Sequence, residues 1–221
     1  MATALRSPQG LLDRLGPAGK YVSFGKRQVI YSAGEQSDVV FLIGTGSIKL
    51  TVVSAEGNEA LTAVMDVGEL FGAEALGVPA VPRAANAVAL TNVRLVKLAP
   101  DLLIKVILSD PAICSLFISE LIRRIMRSQD ELASCLLYNS EQRLARALLS
   151  MAELARTHKA PWIPELSQQD LARMIGTTRQ RVNYLMKRFR NKGFVEGARG
   201  KRIHNSLQQV AEPDLMTGTK R

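Results

Sequence analysis

Between Leu166 and Arg190 the chain reads LSQQDLARMIGTTRQRVNYLMKRFR, a segment whose polar residues suit hydrogen bonding to nucleic-acid bases. Val182, Leu185, Met186 and Phe189 recur at helical spacing and define one apolar face. Arg179, Gln180, Arg181, Asn183, Tyr184, Lys187, Arg188 and Arg190 then point the other way. Arginine can donate two parallel bonds to guanine, and glutamine or asparagine can pair twice with adenine. A helix of this kind fits the DNA major groove if a second element holds it there. The preceding residues supply that element. Ser167 can cap a short helix, Leu171, Met174 and Ile175 form its apolar stripe, and Gly176 breaks it. Thr177 or Thr178 can cap the next helix, so the spacing predicts a helix-turn-helix. The competing reading is the solvated basic face of an ordinary helix.

Charge placement favours the DNA reading. Residues 1–136 hold 13 Lys+Arg and 13 Asp+Glu, so the formal net charge of +9 resides wholly in 137–221, with 16 and 7. Within 178–202 nine basic residues face a single acid, Glu196. Phosphate neutralisation needs such localisation, and general solubility does not. A basic membrane-binding surface would need large apolar groups on an exposed face, whereas here that face is needed for a small core.

The 221 residues suffice for one large or two modest domains. No run of about 18 apolar residues is present, and the start, MATALRSPQG, lacks the apolar stretch of a secretory signal. A cytoplasmic protein is expected, with no membrane partner. Cys114 and Cys135 are too few for a disulfide framework or for a cluster held by thiolates alone. His158 and His204 are the only imidazoles, both in polar segments, so no metal, haem or iron–sulfur cluster is expected. No nucleophile–base pair, metal-ligand spacing or GxxxxGK loop points to an enzyme.

The elements that must carry the recognition helix follow from periodicity. From Tyr21 to Leu98 short apolar runs alternate with Gly-bearing turns, as in an all-β barrel or roll. A short helix over 102–108 comes next, then a long one from Pro111 to about Tyr138. Ile118, Leu121, Ile125, Ser128, Leu132 and Cys135 follow heptad spacing, which predicts pairing with a second copy. Phe117, Ile122, Met126, Ala133 and Leu136 are expected to pack on the β domain. The alternative is the core helix of a monomer. Glu141 to Arg156 forms another amphipathic helix, and FVEGARGKRIHN after Gly193 reads as a basic hairpin carrying Lys201. The expected fold class is α+β, divided into 1–110 (β-roll sensor), 111–138 (dimer helix) and 139–221 (winged helix-turn-helix).

This order resembles the bacterial cyclic-AMP receptor protein and fumarate-nitrate regulator family of transcription factors, over about 20 to 210. The most specific pieces are VIYSAGEQSDVVFLIGTGSIKL, GELFGAEALGVPAVPRAANAVAL, YNSEQRLARALL and the helix-turn-helix. The resemblance implies a cyclic-nucleotide-binding-like β-roll, a homodimer on double-stranded promoter DNA, and RNA polymerase as a partner. Its first candidate effector is a cyclic nucleotide, cyclic AMP before others. Arg83 matches the family's phosphate-binding Arg and Gly72 its loop Gly. The ribose-binding Glu falls on Ala73 when counted from Gly72, and on Glu74 when counted back from Arg83. Ala84 follows the Arg where Ser is common, and Ser128 with Gln129 stand at the adenine-facing pair. Arg83 is expected at a partly exposed position whose loss leaves the fold intact.

For DNA, the family pattern Arg, Glu and, four residues on, Arg becomes Arg179, Gln180 and Tyr184, with further DNA contacts expected from Thr178, Arg181, Asn183, Lys187, Arg188 and Lys201. Two other readings stay open: a cyclic-nucleotide module whose basic C-terminal region docks on an acidic protein, and a regulator that binds DNA without any ligand. Arg179→Ala should cost about 1–3 kcal/mol at a cognate site and leave non-specific binding similar. Lys201→Ala should weaken all sequences about equally and reduce the salt slope of binding, as measured by salt-titrated gel shift.

Overall fold

Short apolar runs between tight turns can bury themselves only by stacking as small sheets, and the β region does so. The computed structural model describes Leu15 and residues 19–77, 81–157, 166–197 and 202–212, with side chains undescribed at 154–157. Lys20–Phe24 (β1), Val29–Tyr31 (β2), Val40–Thr45 (β3), Ile48–Val53 (β4), Glu59–Met65 (β5), Leu70–Phe71 (β6), Asn86–Ala89 (β7) and Val93–Leu98 (β8) are the strands before the first long helices. They form two antiparallel four-stranded sheets, ordered β1-β8-β3-β6 and β2-β7-β4-β5. Strand β3 is buried on both faces. Phe41 and Ile43 enter the core between the sheets with Tyr31, Ile48, Phe71 and Leu95, while Val40 and Leu42 join Leu98, Leu103 and Ile113 beneath the helices. That double burial explains its unbroken apolar run, VFLI, where a one-sided strand would alternate.

Pro100 opens helix α1 (Pro100–Ser109), and Pro111 opens the long α2 (Pro111–Leu137). Between them Asp110 Oδ1 accepts from the N–H groups of Ala112 and Ile113, which the helix start would leave unpaired. The expected packing of α2 is partly overturned. Phe117 does pack on the β core, but Ile122 and Met126 are exposed. Charged groups dock this face instead. Arg124 Nη2 donates to Leu70 O at 2.9 Å, and Arg127 Nη2 to buried Glu69 Oε1 at 2.9 Å. Glu69 and the first residue of β6, Leu70, offer α2 a carboxylate and a carbonyl, which arginine satisfies and isoleucine cannot. On α2, Ile118, Leu121, Ile125 and Leu132 remain exposed, as do Leu136 and Leu137.

Asn139 caps α3 (Ser140–Thr157), its Oδ1 accepting from Glu141 N and Gln142 N while Gln142 Oε1 accepts from Asn139 N. Arg143 Nη1 donates back to Cys135 O and Tyr138 O, two carbonyls that the end of α2 leaves without helical partners. Leu144, Ala145, Leu148 and Met151 are the buried positions of α3. Helices α4 (Gln168–Met174) and α5 (Arg179–Asn191) follow, then the β9–β10 hairpin (Val195–Glu196, Arg202–Ile203) and a short α6 (Gln208–Ala211). The expected loop at 157–164, His158 and Lys201 at the hairpin tip lie largely or wholly outside the described residues. The chain divides into two compact units, Met1–Arg127 and Ser128–Arg221, so the division falls within α2. Among the described residues no single helix is long and apolar enough to cross a membrane.

Candidate functional site

Two groups of residues stand out, one in each compact unit. In the first, β6 ends at Gly72, whose left-handed φ of 76° turns the chain into the 3-10 turn Ala73–Leu76. A side chain there would be strained, and its Cβ would meet Arg83 Nη1 at 2.5 Å. The close approach is productive: Arg83 Nη1 donates to Gly72 O at 2.9 Å and Nη2 to Val39 O at 2.7 Å. Its guanidinium lies 4.4 Å from the Tyr31 ring centroid and 5.8 Å from that of Phe41. Those rings stack with Phe71, at centroid separations of 5.1 to 6.0 Å.

Glu74 completes the group. Its Oε2 is 3.6 Å from Arg83 Nη1, and its Oε1 accepts from Ala84 N at 3.3 Å. The geometry therefore brings Glu74, Gly72, Arg83 and Ala84 together, with Ala73 beside them in the same turn. Of the two alternatives for the acidic position, Glu74 has its carboxylate on the arginine. Ser128 and Gln129 are exposed on α2, and only the family pattern assigns them.

Sequence reasoning missed two members. Burial holds the Tyr31 hydroxyl far above its ordinary pKa, with Glu74 adding to the shift and Arg83 and Arg124 opposing it. Burial likewise pushes the Arg124 guanidinium below its ordinary value, opposed first by Glu69. So Arg124 sits near enough to Tyr31 and Glu74 to be felt by both. The available signal was Arg123-Arg124 interrupting the apolar stripe ELIRRIM. Arg83 lies against Glu74, Arg127 lies against both Glu69 and Glu120, and Arg123 also pairs with Glu120.

Arg83 is 4 % exposed, so it is a buried structural residue and not a partly exposed one. Replacing it by leucine strips one buried and one part-buried carbonyl of charged donors. Arg83→Leu should destabilise the N-terminal unit by about 2–4 kcal/mol, read as a lower denaturation midpoint. An unchanged midpoint would show that those bonds contribute nothing net.

The second group is the helix-turn-helix. Ser167 and Asp170 form a reciprocal capping box, with Ser167 Oγ accepting from Asp170 N at 3.0 Å and Asp170 Oδ2 accepting from Ser167 N at 3.3 Å. Gly176 takes a φ of 61°, and Thr178 rather than Thr177 caps α5 by accepting from Arg181 N. Val182, Leu185, Met186 and Phe189 are buried. All eight expected polar residues of α5 are exposed, but they are not equivalent. Arg181 Nε donates to Ser140 Oγ at 3.3 Å, and Arg188 Nη1 to Glu141 Oε2 at 2.9 Å. Gln168 Nε2 donates to Asn183 Oδ1 at 3.2 Å. Arg179, Gln180 and Lys187 make no hydrogen bond or ion pair with another described residue. Among the described residues no cluster of three or more His, Cys, Asp or Glu could hold a metal.

Comparison with known proteins finds matches in both compact units. A cyclic nucleotide-binding domain model matches residues 21–110, and a Crp-like helix-turn-helix domain model matches 142–207. A CRP-like cAMP-activated global transcriptional regulator of Mycobacterium tuberculosis is 27% identical over 177 residues, 79% of each chain. The solved structure of FixK2 from Bradyrhizobium japonicum matches with a TM-score of 0.73 at 20% identity, covering 87% of this chain and 96% of that one. The c-di-GMP-responsive global regulator CLP of Xanthomonas campestris matches with a TM-score of 0.71 at 16% identity, covering 88% and 98%. With a β-roll sensor domain and a DNA-reading helix-turn-helix in family order, the chain belongs to the cyclic-AMP receptor protein and fumarate-nitrate regulator family of DNA-binding transcriptional regulators.

Proposed function

We propose that this regulator is a cytoplasmic homodimer that binds a cyclic nucleotide in its β-roll and answers by changing its grip on promoter DNA, where it meets RNA polymerase. The observation that carries the reading is the buried Arg83 with the half-buried Glu74 carboxylate against it and Arg124 within electrostatic reach. Arg83 would hold the phosphate, with the backbone N–H groups of 74–76, and Glu74 a ribose hydroxyl. Gly72, Ala73 and Ala84 leave room by being small. The nucleotide itself supplies only charge and shape, since no reaction is involved. Arg83 and Arg124 hold carbonyls two residues apart on one short stretch, Gly72 O and Leu70 O, so a ligand drawing on Arg83 acts on the strand that also docks α2. Such a ligand contacts two states differently, as control of a distant function requires.

Cyclic AMP is the first candidate, following the cAMP-activated relatives. Calorimetry of the full chain against cyclic AMP, cyclic GMP and cyclic di-GMP should show heat for one of them, most strongly cyclic AMP. No heat for any, with undiminished operator affinity, would leave a DNA-binding regulator that works without a nucleotide. Arg83 already having carbonyl partners favours that second reading.

The exposed heptad stripe of α2 carries the dimer part. Ile125→Asp places two like charges in the seam at once, so the dimer should dissociate and operator binding collapse. Sedimentation checks this directly, and a wild type that stays monomeric at micromolar concentration would remove the dimer.

A further inference from the structure

From Asn139 onward, Tyr184 is the sole large apolar side chain left exposed among the described residues, at 56 %. It stands in the middle of a basic helix face, one turn beyond Gln180 and one turn before Lys187 or Arg188. The Arg181 guanidinium lies 5.5 Å from its ring centroid, and Arg181 is itself tied to Ser140. The ring is thus supported on one side and open outward. The ring carbons make no bond to phosphate, for which the neighbouring arginines and lysines serve; only the phenol hydroxyl could. The apolar group that the major groove displays is the 5-methyl of thymine.

The neighbours sharpen the assignment. Asn183, the other amide on this face, has its oxygen engaged by Gln168, so it is less able to pair twice with adenine. Gln180 makes no such bond and keeps both donor and acceptor. Arg188 and Arg181 are held toward the start of α3. What remains facing outward without a hydrogen bond or ion pair to another described residue is Arg179, Gln180, Tyr184, Lys187 and Arg190. We propose that Tyr184 is a specificity-determining residue that reads a thymine methyl, within a half-site whose guanine and adenine are read by Arg179 and Gln180. This rests on the reading of α5 as the base-contacting helix.

The test starts from a consensus selected with the full-length protein from random duplexes. Each thymine of the selected half-site is then replaced singly by deoxyuridine, and affinity is measured by fluorescence anisotropy. The wild type should lose about three- to fivefold at one thymine, the value of one buried methyl. Tyr184→Ala should abolish the thymine–uracil difference at that position, and Tyr184→Phe should keep it. Tyr184→Arg should move the re-selected consensus at that position to a G·C pair. Because the ring is exposed, the melting temperature of each variant should match the wild type, and the Phe and Arg variants decide the matter if Ala does not fold. The proposal is overturned if no thymine is methyl-sensitive, if the sensitivity survives Tyr184→Ala, or if Phe behaves as Ala, which would assign the phenol hydroxyl. A flat consensus for the wild type would instead overturn the DNA reading of α5 itself.

Discussion

A guanidinium buried among aromatic rings must find oxygen, and the N-terminal unit is arranged around that requirement at Arg83. Its donors reach Gly72 O and Val39 O, so one side chain joins the end of β6 to the start of β3. The approach is possible because position 72 has no Cβ and accepts a left-handed backbone. Tyr31, Phe41 and Phe71 then stack around the charge and close the space between the two sheets. Loop shape, core packing and charge at this site are consequently a single problem with one solution. Any anion that draws on Arg83 must compete with backbone carbonyls and with Glu74, so binding and local structure are linked by necessity.

The same economy of charge recurs where α2 meets the β-roll. Glu69 is buried, accepts from Asp66 N at 2.7 Å and pairs with Arg127. Arg124 takes the neighbouring carbonyl of Leu70. Docking a helix through ionic and carbonyl contacts leaves its apolar residues uncommitted, and Ile118, Leu121, Ile125, Leu132 and others stay in the open. An apolar stripe this long is the kind of surface a monomer seldom keeps. The polar docking and the exposed stripe are therefore two consequences of one choice of residues along 118–132.

In the second unit, local backbone chemistry does most of the positioning. A capping box at Ser167, a left-handed Gly176 and a cap at Thr178 set the two helices of the motif before any long-range contact is considered. Cross-contacts to the start of α3 then sort the exposed face of α5, drawing Arg181 and Arg188 aside. A row of similar-looking polar residues becomes two functional sets. One is held by the protein, and the other is available to a partner.

The sequence by itself determined the elements and their order. Period-two runs with turn residues marked the strands, Pro100 and Pro111 the helix starts, and four buried apolar residues the inner face of α5. These signals are local, because propensity, capping and periodicity act over a few neighbouring residues. It also singled out Arg83, Gly72 and the outward face of α5, through resemblance and residue type. Only the tertiary structure decided that Glu74 faces Arg83, that Arg83 is buried, that Arg124 and Tyr31 belong to the same group, and that α2 beyond Phe117 docks by charge with Ile122 and Met126 exposed. The reason is common to all four: burial and charge pairing depend on which distant segments the two sheets bring together, and residues 31, 74, 83 and 124 carry no mark in the chain of their future neighbours.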